Sequence, residues 1–299
     1  MKIAAVVVTY NRLSSLIKII GAIRDQSRKA DYIIVVNNGS IDGTEEWLRE
    51  QTDLIIVHQN NQGSGGGQRT GILKGIELKV DFTWCMDDDG LPSYNCLEKL
   101  IESGKLTERN VLGSIVYDID KRDLLAFETY YVDNNSTMHY LTTKSEVEAL
   151  RLSTSSIPNI AAFFNSVIFP TSLLKEVGSP IAELFIWGDE NEYFARILKK
   201  GFKIETIIDS VFFHPKDRMP LARGWWGTAF FGQDDWKSYC FFRNKCYIMK
   251  RYNHYGLLKF LVSNLLYRIF VKNSELSLGH FFKSSLHGLS NNLSQKIPF

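Results

Sequence analysis

The sequence predicts an α/β protein with a parallel sheet and helices on both of its faces. Three observations carry this. Short apolar runs recur, stretches of helical periodicity separate them, and the links between are short. "KIAAVVVTY" (2–10) is β-branched and lacks polar alternation, so it reads as a buried strand. "SSLIKIIGAIRDQS" (14–27) sets Leu16, Ile19, Ile20 and Ile23 on one helical stripe, with Ser14 as its cap. "YIIVVNN" (32–38) is a second buried strand, and "GSIDGTEEWLREQ" is a turn followed by a helix. "LIIVHQN" (54–60) is a third strand, "NQGSGGGQRTGILKGIELK" a glycine-rich loop entering a helix, and "FTWCMDDD" (82–89) a fourth strand.

Beyond residue 110 the pattern loosens. "NVLGSIVYDI" and "NSVIFP" read as strands, and "TSLLKEVG" as a short helix ended by Gly178. "GDENEYFARILKKGF" is a helix with Asp189, Glu190 and Glu192 in its first turn, and "KIETIIDSVFFHP" a strand ending at His214. Residues 216–238 form a loop rich in Trp and Gly, and the remainder is helical. The division expected is a catalytic domain over 1–238 and a helical region over 239–299.

At 299 residues and 44% hydrophobic, the chain is long enough for a large core. A net charge of +2 gives no polyanion-binding signature, so nucleic acid is not an expected partner. Residues 241–299 nevertheless carry nine Lys/Arg against one Asp/Glu. Such an end suits either an anionic partner or a solvated tail. Cys85, Cys96, Cys240 and Cys246 form no CxxC pair or zinc spacing, and read as free thiols in a reducing cytosol. Met1-Lys2 runs directly into a strand, so no signal peptide is read. No apolar run is long enough to span a bilayer.

Ligands of such sheets bind at the carboxyl ends of the strands. Thr9-Tyr10-Asn11, Asn37-Asn38, Asn60-Asn61 and Asp87–Asp89 all fall there. Three adjacent aspartates repel, and a hard divalent cation relieves that repulsion, so Mg²⁺ or Mn²⁺ is expected. A solvated turn is the alternative. Alternation along an extended segment points Asp87 and Asp89 one way and Asp88 the other. Gly63, Gly65, Gly66 and Gly67 before a helix suit close backbone approach to an anion. That segment matches neither a P-loop nor GxGxxG, which disfavours ATP hydrolysis and dinucleotide binding. The acidic start at Asp189 and Glu190 offers a carboxylate base, or simply compensates the helix dipole. His214 becomes a credible further metal ligand beside carboxylates.

The order "VVVTYNR", "VVNNGSIDGT", "NQGSGGGQRTG", "WCMDDDG", "FIWGDENEYFARILKKG" and "FFHP" resembles the inverting family-2 glycosyltransferases. The matches span roughly residues 3–250 and look most like the galactofuranosyltransferase-like branch, beside bacterial rhamnosyltransferases. The resemblance implies a GT-A fold, a mixed sheet with flanking helices, followed here by a C-terminal helical appendage. It implies a UDP- or dTDP-sugar donor and a glycan acceptor, either lipid-linked or free, in cell-surface polysaccharide synthesis. Thr9, Tyr10, Asn11 and Arg12 would lie beside the donor, with Asn38 facing the base or ribose where many relatives carry Asp. Asp87, Asp89 and His214 would hold Mn²⁺ or Mg²⁺ on the diphosphate, Asp88 would contact ribose or sugar, and Gly65 and Gly66 would approach the donor. The base is either Asp189 or Glu190. "CFFRNKCYI" resembles a YxxRN segment, with Arg243 and Asn244 near donor phosphates or acceptor.

Trp187, Trp225 and Trp226 are the expected acceptor-stacking faces. The last two belong to a mobile flap, or to a hydrophobic cluster that anchors the tail. Leu258, Leu261, Val262, Leu265 and Ile269, with Lys259, Arg268 and Lys272 nearby, form either a membrane-docking stripe or a core-packing one. A cytoplasmic protein, peripheral on the inner face of the plasma membrane, is expected. A nucleotidyltransferase would need a basic glycine-rich stretch after the first strand, and "TYNRLSS" is not one. A non-catalytic sugar-binding relative would have lost the metal or base cluster, and this chain retains both.

Overall fold

β1 (Ile3–Thr9) lies inside the sheet because both its faces are apolar. Ile3, Ala5 and Val7 enter one core, and Ala4, Val6 and Val8 the other. The structure is a computed structural model describing residues 1–133, 135–216, 221–232, 235–271 and 277–294. α1 (Leu13–Arg24) buries its Leu16–Ile23 stripe against the first core. Ser14 does not cap it, because the Leu13 amide donates to Asp42 Oδ2 at 2.9 Å and Ser14 lies within the helix. β2 (Tyr32–Asn37), α2 (Thr44–Arg49) and β3 (Leu54–His58) extend the sheet in parallel on one side of β1. α3 (Gly63–Glu77) crosses back to β4 (Phe82–Asp87), parallel on the other side. The strand order therefore reverses at β1, which opens a crevice at the carboxyl ends of β1, β2 and β4.

The glycine-rich segment is helix, not loop. Gly63 opens α3, and Gly67, Gly71 and Gly75 recur every fourth residue on the face that meets the sheet. A Cβ on Gly67 or Gly71 would overlap Val8 or Val6, and one on Gly75 would stand 2.5 Å from Thr83 Cγ2. The glycines thus allow a close helix–sheet contact that outweighs their poor helix propensity. Gly71→Ala should destabilise the protein by about 1–3 kcal/mol through overpacking. Gly21→Ala in α1, with no neighbour within 4 Å of its added carbon, should instead stabilise it by about 0.4–1 kcal/mol. Urea midpoints of the two variants should move in opposite directions.

β5 (Leu91–Pro92) and α4 (Cys96–Glu102) precede β6 (Asn110–Asp118). β7 (Leu124–Val132) and β8 (Met138–Thr143) pair antiparallel, and α5 (Lys144–Arg151) begins with a Thr143–Glu146 capping box. After β9 (Ser156–Pro158), β10 (Asn165–Pro170) inserts antiparallel between β4 and β6. α6 (Leu173–Val177) ends at Gly178, φ +79°. A 3₁₀ turn (Ala182–Leu184) and α7 (Asp189–Lys199) then lead to β11 (Lys203–His214), parallel to β6. The sheet is mixed, in the order β3-β2-β1-β4-β10-β6-β11-β5.

Residues 221–230 form a hairpin of β12 (Leu221–Gly224) and β13 (Gly227–Phe230) rather than a loop. α8 (Asp235–Tyr252), α9 (His254–Phe270) and α10 (Leu278–Leu289) follow, so the expected boundary at 239 falls inside α8. Phe230 stacks on Phe241 at 4.2 Å, Trp226 packs on Tyr267 and Trp225 on Phe270. The hairpin is thereby fixed to α8 and α9, which is the anchoring alternative. All four cysteines are free and buried.

Candidate active site

A cavity of about 820 Å³ occupies the crevice, and Thr9, Tyr10, Arg12, Asn38, Asp87, Asp88, Asp89, Trp187, Asp189, Glu190 and His214 all line it. Strand alternation in β4 organises the aspartates. Trp84 and Met86 face the α1 side, and Cys85 the α3 side. Asp87 follows Cys85 towards α3, where Gln68 Nε2 donates to its Oδ1 at 2.9 Å. Asp88 turns inward and accepts from Thr9 Oγ1 at 2.7 Å and from Arg12 Nη1 at 3.1 Å. Asp89 pairs with Arg12 through Oδ2 and with His214 Nε2 through Oδ1 at 3.0 Å. Asp87 and Asp89 do not share an identical environment, but Asp89's charge does reach Asp87. Burial and that charge push Asp87 up to about 8. Burial also raises Asp89, yet His214 and Arg12 outweigh it and bring the carboxyl down to about 2.

Asp87, Asp89 and His214 put oxygen and imidazole donors of the kind that bind divalent cations on the wall of the crevice. The His214 Nδ1 proton is directed at the Pro215 carbonyl at 2.6 Å, which leaves Nε2 turned to Asp89. Metal-ligating histidines are held this way by a second partner. Among the described residues no group of three His, Cys, Asp or Glu side chains stands at ligand spacing. The protein would thus supply a partial shell, completed by substrate oxygens, as Mg²⁺ sites commonly are.

The asparagines at the strand ends mostly bind protein. Asn38 accepts from Gln59 Nε2 and the Gln62 amide, and donates to Asn61 Oδ1 and the Gly63 carbonyl, all within 2.8–3.2 Å. Its amide thus ties the end of β2 to the start of α3. Asn11, at φ +53°, accepts from the Ile41 amide through its side-chain oxygen and donates its own backbone amide to Ser40 Oγ, and it lies outside the cavity wall.

α7 presents its acidic pair unequally. Asp189 is 0% exposed, and burial pushes it up to about 7 against the opposing pull of Ser64 and the helix-start amides. Glu190 is half-buried and borders both this cavity and a second of about 290 Å³, lined also by Glu128, Tyr130 and Asn159. Phe127, Asn165 and Asn191 border both cavities as well. Glu192 is taken up by Arg196 and Tyr252. The turn before α7 is strained, with Phe185 at φ +68°, Trp187 at φ +56° and Gly188 at φ +146°.

Arg243 and Asn244 do not face the cavity. Both are fully buried, and they clamp that strained turn. Arg243 Nη2 donates to the Glu183 carbonyl at 2.7 Å, and Asn244 Nδ2 to those of Leu184 and Ile186 at 2.7 and 2.8 Å. Gly65 packs against Asp189 and Ile181, and Gly66 against Gln62 and Ala182, so Gly63 and Ser64 line the wall instead. Trp225 and Trp226 lie on the hairpin, outside the wall. Gln68, Asn165 and Lys216 are site residues that sequence reasoning missed, and Trp236, one of the aromatic residues expected in the flap, also lines the wall. Lys216 sits two residues after His214, the one local signal available.

A carboxylate- and cation-lined crevice thus opens at the switch point of a mixed sheet, where open α/β sheets bind their ligands. The Glycosyl transferase family 2 model matches residues 4–161, and the chain belongs to that family. It is 28% identical over 255 residues to the galactofuranosyltransferase GlfT1 of Mycolicibacterium smegmatis, covering 83% of each chain. It is 30% identical over 119 residues to the undecaprenyl-phosphate mannosyltransferase of Micrococcus luteus, covering 38% of this chain and 48% of that one. The fold resembles GalNAc-T7 crystallised with UDP, GalNAc and Mn²⁺ (TM-score 0.58, 15% identity, 84% of this chain and 48% of that one). It also resembles S. aureus TarS 1-349 with UDP (TM-score 0.54, 13% identity, 97% and 83%). The architecture is GT-A.

Proposed function

We propose that this chain transfers galactofuranose from UDP-galactofuranose to a hydroxyl of a growing surface glycan, with inversion at the anomeric carbon. The observation that carries the reading is Glu190, which borders a large cavity holding Arg12, Asp87–Asp89 and His214 and also a smaller, separate one. The 28% identity to galactofuranosyltransferases over most of both chains supports the sugar.

The donor takes the larger cavity. The half-exposed Tyr10 ring meets the base, Asp88 is held by Thr9 and Arg12 to accept from ribose or sugar hydroxyls, and Arg12 and Lys216 face the diphosphate. A Mn²⁺ or Mg²⁺ ion at Asp89 and His214, with Asp87 beside them, would neutralise the diphosphate as it leaves. The acceptor enters from the smaller cavity, with Phe127 and Asn191 at the junction and Trp187 on the wall of the larger one. Glu190 takes the proton of its hydroxyl, the oxygen bonds to the anomeric carbon, and the carbon–diphosphate bond breaks with its electron pair going to phosphate. One displacement inverts the centre.

UDP-galactofuranose, UDP-galactose and dTDP-rhamnose are tested with and without Mn²⁺, with products read by NMR. Transfer from UDP-galactofuranose with inverted configuration is expected. Asp89→Asn and His214→Ala should each lower metal affinity by tenfold or more, on the order of second-sphere losses at least. Asp88→Asn should raise the donor KM instead. Retained configuration sinks the mechanism, preferred use of dTDP-rhamnose sinks the sugar, and no nucleotide-sugar binding sinks the whole reading.

A further inference from the structure

The two last helices carry a surface that the transfer reaction does not use. α9 and α10 are neighbours on α8, since Phe260 and Phe281 both pack on Phe242 and the Arg268 guanidinium sits over Phe242 and Phe281. Each helix buries one row there: Phe260, Ser263, Asn264 and Tyr267 on α9, and Phe281, Ser284, Ser285 and Gly288 on α10. Each turns another apolar row outward. Leu258, Val262 and Ile269 are exposed on α9, and Leu278, Phe282 and Leu286 on α10, with Leu258 at 68% and Leu286 at 63%. The spacings of four and seven residues hold each row on one helical face. Leu261 and Leu265, expected in the same stripe, are drawn into the core instead, and so is Arg268. Lys272 lies outside the described residues.

The described Lys and Arg side chains of these two helices face no carboxylate of their own helices. Lys259 directly follows Leu258 and Lys283 directly follows Phe282, and both are exposed. Among the described residues from 241 to 294 there is no Asp or Glu. Rows of exposed apolar side chains on neighbouring helices mark an interaction site. A second copy of this face would bring like charges together, and an acidic protein groove would leave two rows of leucine and phenylalanine to be matched. Lysines beside apolar rows suit a bilayer surface, where the stems lie along the acyl boundary and the ammonium groups reach lipid phosphates. No described helix is long and apolar enough to cross a membrane, which fits helices lying in the interface.

We infer that the outer face of α9 and α10 docks on an anionic phospholipid surface. The inference stands independently of the transferase reading, because none of these residues lines either cavity. The test is sedimentation of the full chain with vesicles of phosphatidylglycerol and phosphatidylcholine, against pure phosphatidylcholine, at low salt. Binding is expected to the mixed vesicles and to fall with added salt. Lys259→Gln and Lys283→Gln should each weaken the vesicle partition coefficient about fivefold. Leu258→Ser with Phe282→Ser should weaken it by at least about tenfold, as buried apolar area is lost. Unchanged circular dichroism shows that these variants are folded, and being exposed, all four sites should tolerate change. Absence of vesicle binding by the wild-type chain overturns the inference. So does equal binding by the serine double variant, or a dimer in solution that the same double variant dissociates.

Discussion

Glu190→Gln should lower glycosyl transfer by about 10²–10⁴-fold, the range for loss of a general base, and leave donor binding intact. Glutamine keeps the size of the side chain and its helix position but cannot take the acceptor proton. The expectation rests on placement: Glu190 is the member of the acidic pair that borders both cavities, whereas Asp189 is fully buried and borders only the larger one. Asp189→Asn is the contrast. Burial keeps Asp189 protonated up to about 7, and asparagine imitates that neutral form, so transfer below that pH should change little. Stability should respond instead. An unfolded aspartate loses its proton near about 4. Between there and about 7 the folded chain retains a proton that the unfolded chain has released, so stability falls as pH rises through that window. Asp189→Asn removes this slope, on the order of a few kcal/mol, and urea midpoints at pH 5 and pH 8 read it. Loss of transfer in Asp189→Asn at pH 6 with retention in Glu190→Gln would reverse the assignment.

The half of the site built by β1, β2 and β4 was legible because buried parallel strands are unbroken apolar runs that end abruptly in polar residues. Thr9, Asn38 and the aspartates stand at such ends, and the fold brings them to one rim. Direction and partnership were less visible. β10 is as apolar as a parallel strand, and nothing in "NSVIFP" says that it runs antiparallel between β4 and β6. β7 and β8 are only half-buried and mix polar with apolar residues, so their hairpin, which supplies Phe127 and Tyr130, left no clear period. The glycine-rich stretch misled for a physical reason: propensity reads five glycines as loop, while tertiary contact with Val6 and Val8 makes a helix of them. Asn38, which the family resemblance set facing the base or ribose, lines the cavity and also bonds to the start of α3, a tie that the sequence did not reveal.

Arg243, expected near donor phosphates or acceptor, is buried away from both cavities, and under the proposed mechanism it is a positioning residue. The turn from Phe185 to Gly188 holds two non-glycine residues in the left-handed region immediately before Glu190. Such a turn persists only where its surroundings over-determine it. Arg243 supplies that constraint through the Glu183 and Leu184 carbonyls at 2.7 and 3.2 Å, and its Nε orients Asn244 Oδ1 at 2.9 Å. Arg243→Met removes the donors to the Glu183 carbonyl and to Asn244 Oδ1, while the Leu184 carbonyl keeps Asn244, which should destabilise the fold by about 3 kcal/mol, since each lost partner costs about 1–3. The relaxed turn should also shift Glu190, and a displacement of about 1 Å is enough to lower kcat about 10²-fold. Arg243→Lys should fall between, because an ammonium reaches one carbonyl but cannot reproduce the planar fork. The split between constants separates the two roles. A positioning residue lowers kcat at nearly constant donor KM, with partial rescue by lysine. A rise in donor KM at unchanged kcat would instead put the guanidinium on the donor, and the buried clamp would have no part in catalysis.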